Sequence, residues 1–503
     1  FFYQSCELKN NPKELDIPSP YLSGLLDSFL SNPKMIPLLE TNRGCPFGCV
    51  YCVWGISALS KVRYRDINIV NDEIDYVSER SNGQLSWIFC DANFGILPRD
   101  VDIARRIREK RDKNGVPVNV VTWSSKNTTY RNIEISKYLE NNLQNNAFIA
   151  LQSADPKVLE LSGRGNIKFE KLLQQVQDYK DRKLEIRTDL LVGLPGESYQ
   201  SHIDTLIKSF ELGFDTISIN NIRLLPGSEY ETDKFRDRYN IITKFRPIFG
   251  AYGRYDSRIS VEIEESVRST KDITEVEYNS LKVIHWLIYF TWNTGIFKPV
   301  LKLGQKYGIN PGVVLNTVAL TKTPELRKLF DNLLFESMEE WFETKEKMLE
   351  FYNKEENYHD LINNFMKLNS KYIALVYRDR NLLNALKKEI EFLLRGMLKN
   401  NNPALEKLEE MIKLSDLLFC HDLLQDEFRL NIRLSGEMAA IVTNDLSLEE
   451  KAFVNMHIYR PSEFVKTCRS HLKNNYSIRD FTWLIQDGLG GLGCLKNKIS
   501  VAE

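Results

Sequence analysis

The stretch Cys45-Pro46-Phe47-Gly48-Cys49-Val50-Tyr51-Cys52 places three thiols within eight residues of a 503-residue chain that has eight cysteines in all. Three thiolates on one short loop can converge on a single inorganic centre, because the residues between them let the chain curl around it. Thiolates are soft ligands that select iron–sulfur clusters or zinc. Structural zinc takes four protein ligands, and neither a histidine nor a fourth cysteine lies near this loop; His202 is the nearest histidine in sequence. Three ligands on a four-iron cluster instead leave one iron open to a small molecule. Eight cysteines in 503 residues are too sparse for a disulfide scaffold, and the crowding of three of them points to a metal in a reducing compartment.

The loop follows the apolar run Ile36-Pro37-Leu38-Leu39, the first of a series. The others are Leu85–Phe89, Val118–Val121, Phe148–Leu151, Asp189–Val192 and Thr216–Ile219. Amphipathic stretches separate them; Phe169, Leu172, Leu173, Val176 and Tyr179, for example, share one helical face. Strands alternating with helices, on connections long enough to cross over, predict a parallel sheet covered by helices. The fold class expected is α/β, a partial (βα)6 TIM-like barrel whose working face lies where strands end and loops begin. A mostly helical domain follows, then a small α+β module at the C-terminus. The expected division is 1–34 as a linker or wrapping segment, 35–270 as the barrel, 271–425 as the helical domain and 426–503 as the module. Within 35–270 the span from about 240 to 270 is mixed in character. Phe428, Leu430, Ile432 and Leu434 alternate with polar residues and predict one half-buried strand.

Composition narrows the function classes. With 67 Lys and Arg against 68 Asp and Glu, no excess positive charge is available to displace counterions from nucleic-acid phosphates. No segment approaches the roughly 18 uncharged apolar residues that span a bilayer. The greasiest, Val283–Phe297, contains His285, Asn293 and Gly295 and reads as a buried helix. The chain opens Phe-Phe-Tyr rather than with Met, which leaves open whether a segment precedes it.

The C-x-x-x-C-x-x-C spacing, placed on the loop after the first strand of a βα series, resembles the radical S-adenosylmethionine (radical SAM) superfamily. That resemblance implies a [4Fe–4S] cluster held by Cys45, Cys49 and Cys52. It also implies S-adenosyl-L-methionine (SAM) chelated on the open iron and cleaved to methionine and a 5'-deoxyadenosyl radical that abstracts a substrate hydrogen. Other strand ends would supply the SAM contacts. After the second strand, where the superfamily carries a small turn that receives the SAM amino group, stands Cys90-Asp91-Ala92-Asn93-Phe94-Gly95. The usual glycine pair is absent, and Asp91 and Asn93 are the substitutes. Gln152, Arg164 and Asp189 resemble the pattern of enzymes of the oxygen-independent coproporphyrinogen oxidase type. By that likeness Gln152 and Asp189 would bond ribose hydroxyls and Arg164 would pair with the SAM carboxylate, whose two oxygens suit a planar guanidinium. Where those relatives place a Glu, after the third strand, this chain has Trp123-Ser124-Ser125-Lys126, so Ser125 is the residue available there. Tyr51 and Trp54 flank the last cysteine and are candidates to pack on adenine. Gly193-Leu194-Pro195-Gly196-Glu197 resembles a turn common in the superfamily and reads mainly as architecture.

The segment from Asp16 to Asp27, followed by Pro37–Phe47, looks like the cobalamin-binding branch, in which such a stretch joins a B12 domain to the barrel. No B12 domain is present here, and none of the six histidines lies in the D-x-H spacing of a cobalamin ligand loop. Direct use of the adenosyl radical and cobalamin-dependent methyl transfer therefore both stand, beside a non-catalytic zinc-binding module. The resemblance further implies a reductant such as flavodoxin or ferredoxin, a small-molecule or peptide substrate, and a cytoplasmic setting. Cys6, Cys90, Cys420, Cys468 and Cys494 read as buried thiols, the aromatic run His285–Asn293 as core, and Arg246, Arg254 and Arg258 as a solvated surface or an anion contact. The glycine-rich Gly488–Gly493 lacks the strand and the βαβ span of a dinucleotide site.

Overall fold

In a computed structural model of the chain, the described residues are 15, 17–32, 34–55, 60–81, 86–124, 130–140, 143, 146–165, 169–426, 428–472, 477–486 and 492–502. In chain order the elements are α1 (Asp27–Leu30), β1 (Leu38–Leu39), β2 (Asn42–Arg43), β3 (Arg63–Tyr64), α2 (Ile67–Arg80), β4 (Ser86–Phe89), α3 (Asp100–Asn114), β5 (Asn119–Val121), α4 (Tyr130–Leu139), β6 (Asn146–Phe148), α5 (Pro156–Leu161), α6 (Phe169–Lys180), β7 (Glu185–Val192), α7 (Tyr199–Glu211), β8 (Thr216–Asn221), α8 (Asp233–Tyr239), β9 (Ile242–Tyr255), β10 (Arg258–Ser269) and α9 (Glu275–Leu287). Helices then dominate from Lys298 to Leu418, and β11 (Arg429–Ser435), β12 (Phe453–Tyr459) and β13 (Lys498–Val501) close the chain. The chain forms two compact units. One takes the described residues of Phe1–Gln152, Leu159–Thr188 and Leu225–Phe235, and the other Ser153–Val158, Asp189–Leu224 and Arg236–Glu503.

In the first unit β1, β4 and β5 pair in parallel, with Leu39 opposite Phe89 and Trp87 opposite Val120. Parallel strands need crossovers, and α2 and α3 supply them. Asp66 caps α2 by accepting from the backbone N–H groups of Asn68 and Ile69. Val70, Ile74 and Val77 fall on one side of α2, Ile103 and Ile107 on one side of α3, and all pack with Trp87, Phe89 and Val120 in one core. Farther along, β6 pairs in parallel with the first half of β7.

The strands differ in places from the sequence expectation. The fifth begins at Glu185, four residues before Asp189, because Glu185, Arg187 and Asp189 alternate with buried Ile186, Thr188 and Leu190 and interrupt the apolar run. The span 242–269, which sequence patterning leaves mixed, is a long antiparallel hairpin of β9 and β10 turning at Asp256, with a register shift beside Pro247.

In the second unit α9 runs on into a π-helical turn, Ile288–Asn293, within the stretch expected to be one buried helix. The C-terminal strands form an antiparallel sheet in the order β11, β12, β13, with Ile432 and Leu434 against Val454 and Met456. Among the described residues no helix is long and apolar enough to cross a membrane.

Candidate active site

The cysteine loop hangs from a two-stranded ladder in the first unit. Asn42 pairs with Tyr64 and Arg43 with Arg63, so β2 and β3 close its base. Asp91, at the end of β4, fixes the entry. Its carboxylate accepts from Thr41 N at 2.7 Å, Asn42 N at 3.2 Å and Asn42 Nδ2 at 2.8 Å, and also bonds the Thr41 hydroxyl. Burial pushes the Asp91 carboxyl up to about 6, against the pull of these donors. The structure thus places Asp91 as a brace for the loop, with both oxygens engaged inside the protein.

Cys45 and Cys49 are buried and Cys52 is half-buried. Val50 N donates to Ser162 O at 3.1 Å, Val50 O accepts from Tyr230 N at 2.9 Å, and Cys52 N donates to Cys49 O at 3.0 Å. Gly163, at φ +65°, lies so close that a Cβ there would overlap the carbonyl oxygen of Gly48. Only glycine takes this conformation and this approach together. Among the described residues no three His, Cys, Asp or Glu side chains gather as the ligands of one metal ion do. A four-iron cluster is held by soft thiolates, and Cys45, Cys49 and Cys52 on this braced loop are the residues that would hold one.

Three of the residues singled out in the sequence meet beside this loop. The Tyr51 hydroxyl donates to Gln152 Oε1 at 3.3 Å, and Arg164 Nη1 donates to the same hydroxyl at 3.3 Å. Arg164 is anchored through Nη2 on the carbonyl of Ala150. Gln152 holds a left-handed backbone, φ 68°, at the exit of β6, a conformation that costs free energy for a residue with a side chain and clusters at functional sites. Burial raises the Tyr51 phenol well above its ordinary range, and Cys49 adds to the rise while Arg164 opposes it, so the hydroxyl stays a neutral donor.

Asn93 is 1% exposed, and neither its Oδ1 nor its Nδ2 has a partner among the described residues. A buried amide with both ends unsatisfied is costly and marks a place for a ligand or ordered water. The turn around it is rigid. Asp100 Oδ2 accepts from Gly95 N at 2.8 Å and from Leu97 N at 3.0 Å, while Oδ1 is unpartnered. Phe94 N donates to Trp123 O at 2.8 Å. Ser125 lies outside the described residues, and Trp54 is half exposed. Asp189 belongs to the second unit, where Ser218 of β8 hydrogen-bonds its carboxyl and burial raises its pKa.

Also in the second unit, Glu197 ties its own turn. Oε2 accepts from Gly193 N at 2.7 Å and Oε1 bonds His202 Nδ1 at 2.9 Å; His202 Nε2 lies 2.9 Å from His285 Nε2. Sequence reading passes over this relay, since His202 and His285 lie 83 residues apart; the one signal is a histidine five residues after Glu197 on the first turn of α7. Cys420, Cys468 and Cys494 are buried as expected, and buried Arg460 joins two of them, donating to Cys468 Sγ at 3.6 Å and to the Cys494 carbonyl at 3.2 Å.

Comparison with known proteins matches residues 39–208 to the Radical SAM superfamily. The chain is 34% identical over 239 residues to 2-(S-pantetheinyl)-carbapenam-3-carboxylate methyltransferase of Streptantibioticus cattleyicolor, covering 46% of this chain and 35% of that protein. It is 32% identical over 242 residues to the cobalamin-dependent radical SAM methyltransferase TokK of Streptomyces tokunonensis, covering 47% of this chain and 35% of TokK. The aligned part is thus about a third of each relative's length. Among solved structures, the radical SAM methyltransferase TsrM from Kitasatospora setae, with cobalamin and a [4Fe–4S] cluster bound, aligns with TM-score 0.34 and 17% identity over 39% of this chain and 36% of that chain.

Proposed function

We propose that this chain, an enzyme of the radical SAM superfamily, holds a [4Fe–4S] cluster on Cys45, Cys49 and Cys52 and reductively cleaves SAM to abstract a hydrogen from its substrate. The observation that carries this reading is the meeting of Tyr51, Gln152 and Arg164 beside the cysteine loop. When bound, such a cluster supplies the electron that splits the carbon–sulfur bond of SAM.

The protein's own residues set the position. Asp91 and the β2–β3 ladder fix where the loop starts, and Ser162, Gly163 and Tyr230 fix its path. Arg164 holds a guanidinium beside the loop for the SAM carboxylate. Gln152 is assigned to a ribose hydroxyl and Tyr51 to the adenosine side. The buried, unsatisfied amide of Asn93 is assigned to the SAM amino group, and Ser125 to the remaining polar contact after β5. These strand-end assignments go with a partial (βα)6 barrel over 35–270, and with a reductant such as flavodoxin or ferredoxin as the electron source.

A second reading, methyl transfer through cobalamin, is favoured by one finding: both relatives above 30% identity are named methyltransferases, and TokK is named cobalamin-dependent. On that reading the corrinoid sits on a domain or partner outside these 503 residues.

Anaerobic reconstitution with iron and sulfide tests the proposal. The expected result is an iron–sulfur absorption band and 5'-deoxyadenosine formed from SAM, both lost in Cys49→Ala. A Cys49→Ala protein that keeps a full cluster and cleaves SAM overturns it. Added cobalamin with S-adenosylhomocysteine as product selects the second reading.

A further inference from the structure

The second unit holds more positive charge than it balances at the base of the β9–β10 hairpin. Arg223 and Arg246 share one carboxylate: Arg223 Nη2 lies 2.6 Å from Glu264 Oε2, and Arg246 Nε lies 2.5 Å from Glu264 Oε1. Arg246 also reaches Glu340 Oε2 at 2.8 Å. Two further cations stand beside them without a carboxylate. Arg268 is 4% exposed; it bonds Asn279 Oδ1 through Nη2, while its Nε has no partner among the described residues. Glu275 and Glu340 act on Arg268 only from a distance. Lys282, one turn after Tyr278 on α9, is half-buried and makes no ion pair among the described residues. Glu275 and Glu343 both bind Lys244, at 2.8 and 2.9 Å, so the wider group sets Arg223, Arg246, Arg268, Lys244 and Lys282 against Glu264, Glu275, Glu340 and Glu343 and keeps one positive charge in excess.

The arrangement is ordered by aromatic rings. The guanidinium of Arg246 lies 4.4 Å from the centroid of Trp341 and that of Arg268 lies 4.6 Å from the same ring, with Tyr278 4.9 Å from Arg268. Cation–π contact holds two like charges against one indole, a costly juxtaposition that their mutual repulsion opposes. Burial pushes the Lys282 ammonium down to about 8, with Glu340 opposing that fall and Arg246 and Arg268 adding to it. A buried cation without a counter-charge is strongly unfavourable. Arg268 is such a cation, and with the Arg246 guanidinium on the same indole and the half-buried Lys282 ammonium near it, a bound oxyanion would supply the missing charge.

We propose that Arg246, Arg268 and Lys282, set against Trp341, form a binding site for an oxyanion, the carboxylate or phosphate group of a small molecule. The site is built wholly from the second unit and stands independently of the cluster assignment. Of the three arginines that the sequence offers for an anion, only Arg246 takes part; Arg254 is paired on the surface with Glu355 at 2.6 Å.

The test is acylation of Lys282 in the full-length protein, followed by peptide mass spectrometry at constant ionic strength, with inorganic phosphate in one arm and succinate in the other. One of the two anions is expected to slow acylation of Lys282 by about tenfold, as a charge-assisted contact implies, and to raise the unfolding temperature. Protection by phosphate alone assigns a phosphate-bearing ligand, and protection by succinate alone a carboxylate. Arg268→Gln is expected to abolish both effects, and Arg268→Lys, which keeps the charge where Gln disturbs folding, to retain part of them. Unchanged Lys282 reactivity and unfolding temperature with both anions overturn the proposal. So does undiminished protection in a folded Arg268→Gln protein.

Discussion

Tyr51 Oη lies 3.3 Å from Gln152 Oε1, joining the last turn of the cysteine loop to a residue held in a left-handed backbone 101 positions later. The same hydroxyl accepts from Arg164, so the phenol couples the guanidinium to the loop. Removing it leaves the three thiols in place and frees Arg164 to swing on its Ala150 anchor. In Tyr51→Phe, reconstituted iron content should match the parent while KM for SAM rises. A hydrogen bond to a charged group contributes about 1.5–3 kcal/mol, which corresponds to roughly 10–100-fold. Equal KM values in the two proteins would remove Tyr51 from the SAM site.

Gly163→Ala asks whether the loop needs its close support. An L-residue at φ +65° costs roughly 1–2 kcal/mol, and the new methyl would also meet the carbonyl of Gly48. The protein should stay folded yet bind less iron on reconstitution, because the strain falls on the segment between Cys45 and Cys49. Full iron loading, measured against protein concentration, would show that the loop yields freely there.

How far the fold is legible follows from what each signal measures. Apolar runs reveal Leu38–Leu39, Ser86–Phe89 and Asn119–Val121, strands whose buried residues lie together in sequence. The start of β7 is hidden because Glu185, Arg187 and Asp189 put charge on every second residue. The β9–β10 hairpin is hidden for another reason: Pro247, Gly250 and Gly253 break its alternation, and only the pairing with β10 restores it. At the site, the cysteine spacing and the family resemblance it carries nominate Tyr51, Gln152 and Arg164. They do not suffice for Asp91, since nothing local says that Thr41 and Asn42 will take up its oxygens. The Arg246–Trp341–Arg268 group is invisible in the sequence, as its members lie in three separate elements whose packing is settled only by tertiary structure.

Asp100 gives a pH signature in the first unit. Burial, with the charge of Asp91 adding to it, pushes its carboxyl up to about 7, above its ordinary 3.8, against the pull of the Leu97 and Gly95 N–H groups. A raised carboxyl pKa means that the native state binds the proton more tightly than the unfolded chain. Its contribution is therefore present in full below pH 3.8 and is lost as pH rises through about 7. Asn in its place keeps an acceptor for Gly95 N and Leu97 N and never ionises. Asp100→Asn should gain on the order of 2–4 kcal/mol over the parent at pH 8 and little at pH 4, read from urea unfolding midpoints. A difference that does not change with pH would mean that Asp100 is neutral or charged throughout.

His285 should show the opposite slope. Burial, with His202 and Lys282 as neighbours, holds its imidazole well below its ordinary pKa of 6.5, so the native state keeps the neutral ring that the unfolded chain protonates. Stability from a depressed base is present above 6.5 and is lost as pH falls. The hydrogen bonds agree. Glu197 Oε2 accepts from the backbone N–H groups of Gly193 and Leu194, and its Oε1 pairs with His202 Nδ1. His202 Nε2 and His285 Nε2, 2.9 Å apart, need one ring to donate and the other to accept, so a proton on both nitrogens breaks the pairing. His285→Gln can still donate to His202 but cannot titrate. It should lose about 1 kcal/mol at pH 7.5, where a neutral hydrogen bond is only reshaped, and should lose less than the parent between pH 6.5 and 5. Because Asp100 tilts the parent profile the other way, the comparison is made in the Asp100→Asn background, where the difference between the acid limbs with and without His285 reports the histidine. Parallel acid limbs with and without His285 would show that the relay carries its protons unchanged through unfolding, and that Glu197, His202 and His285 are held by packing and not by their charge state.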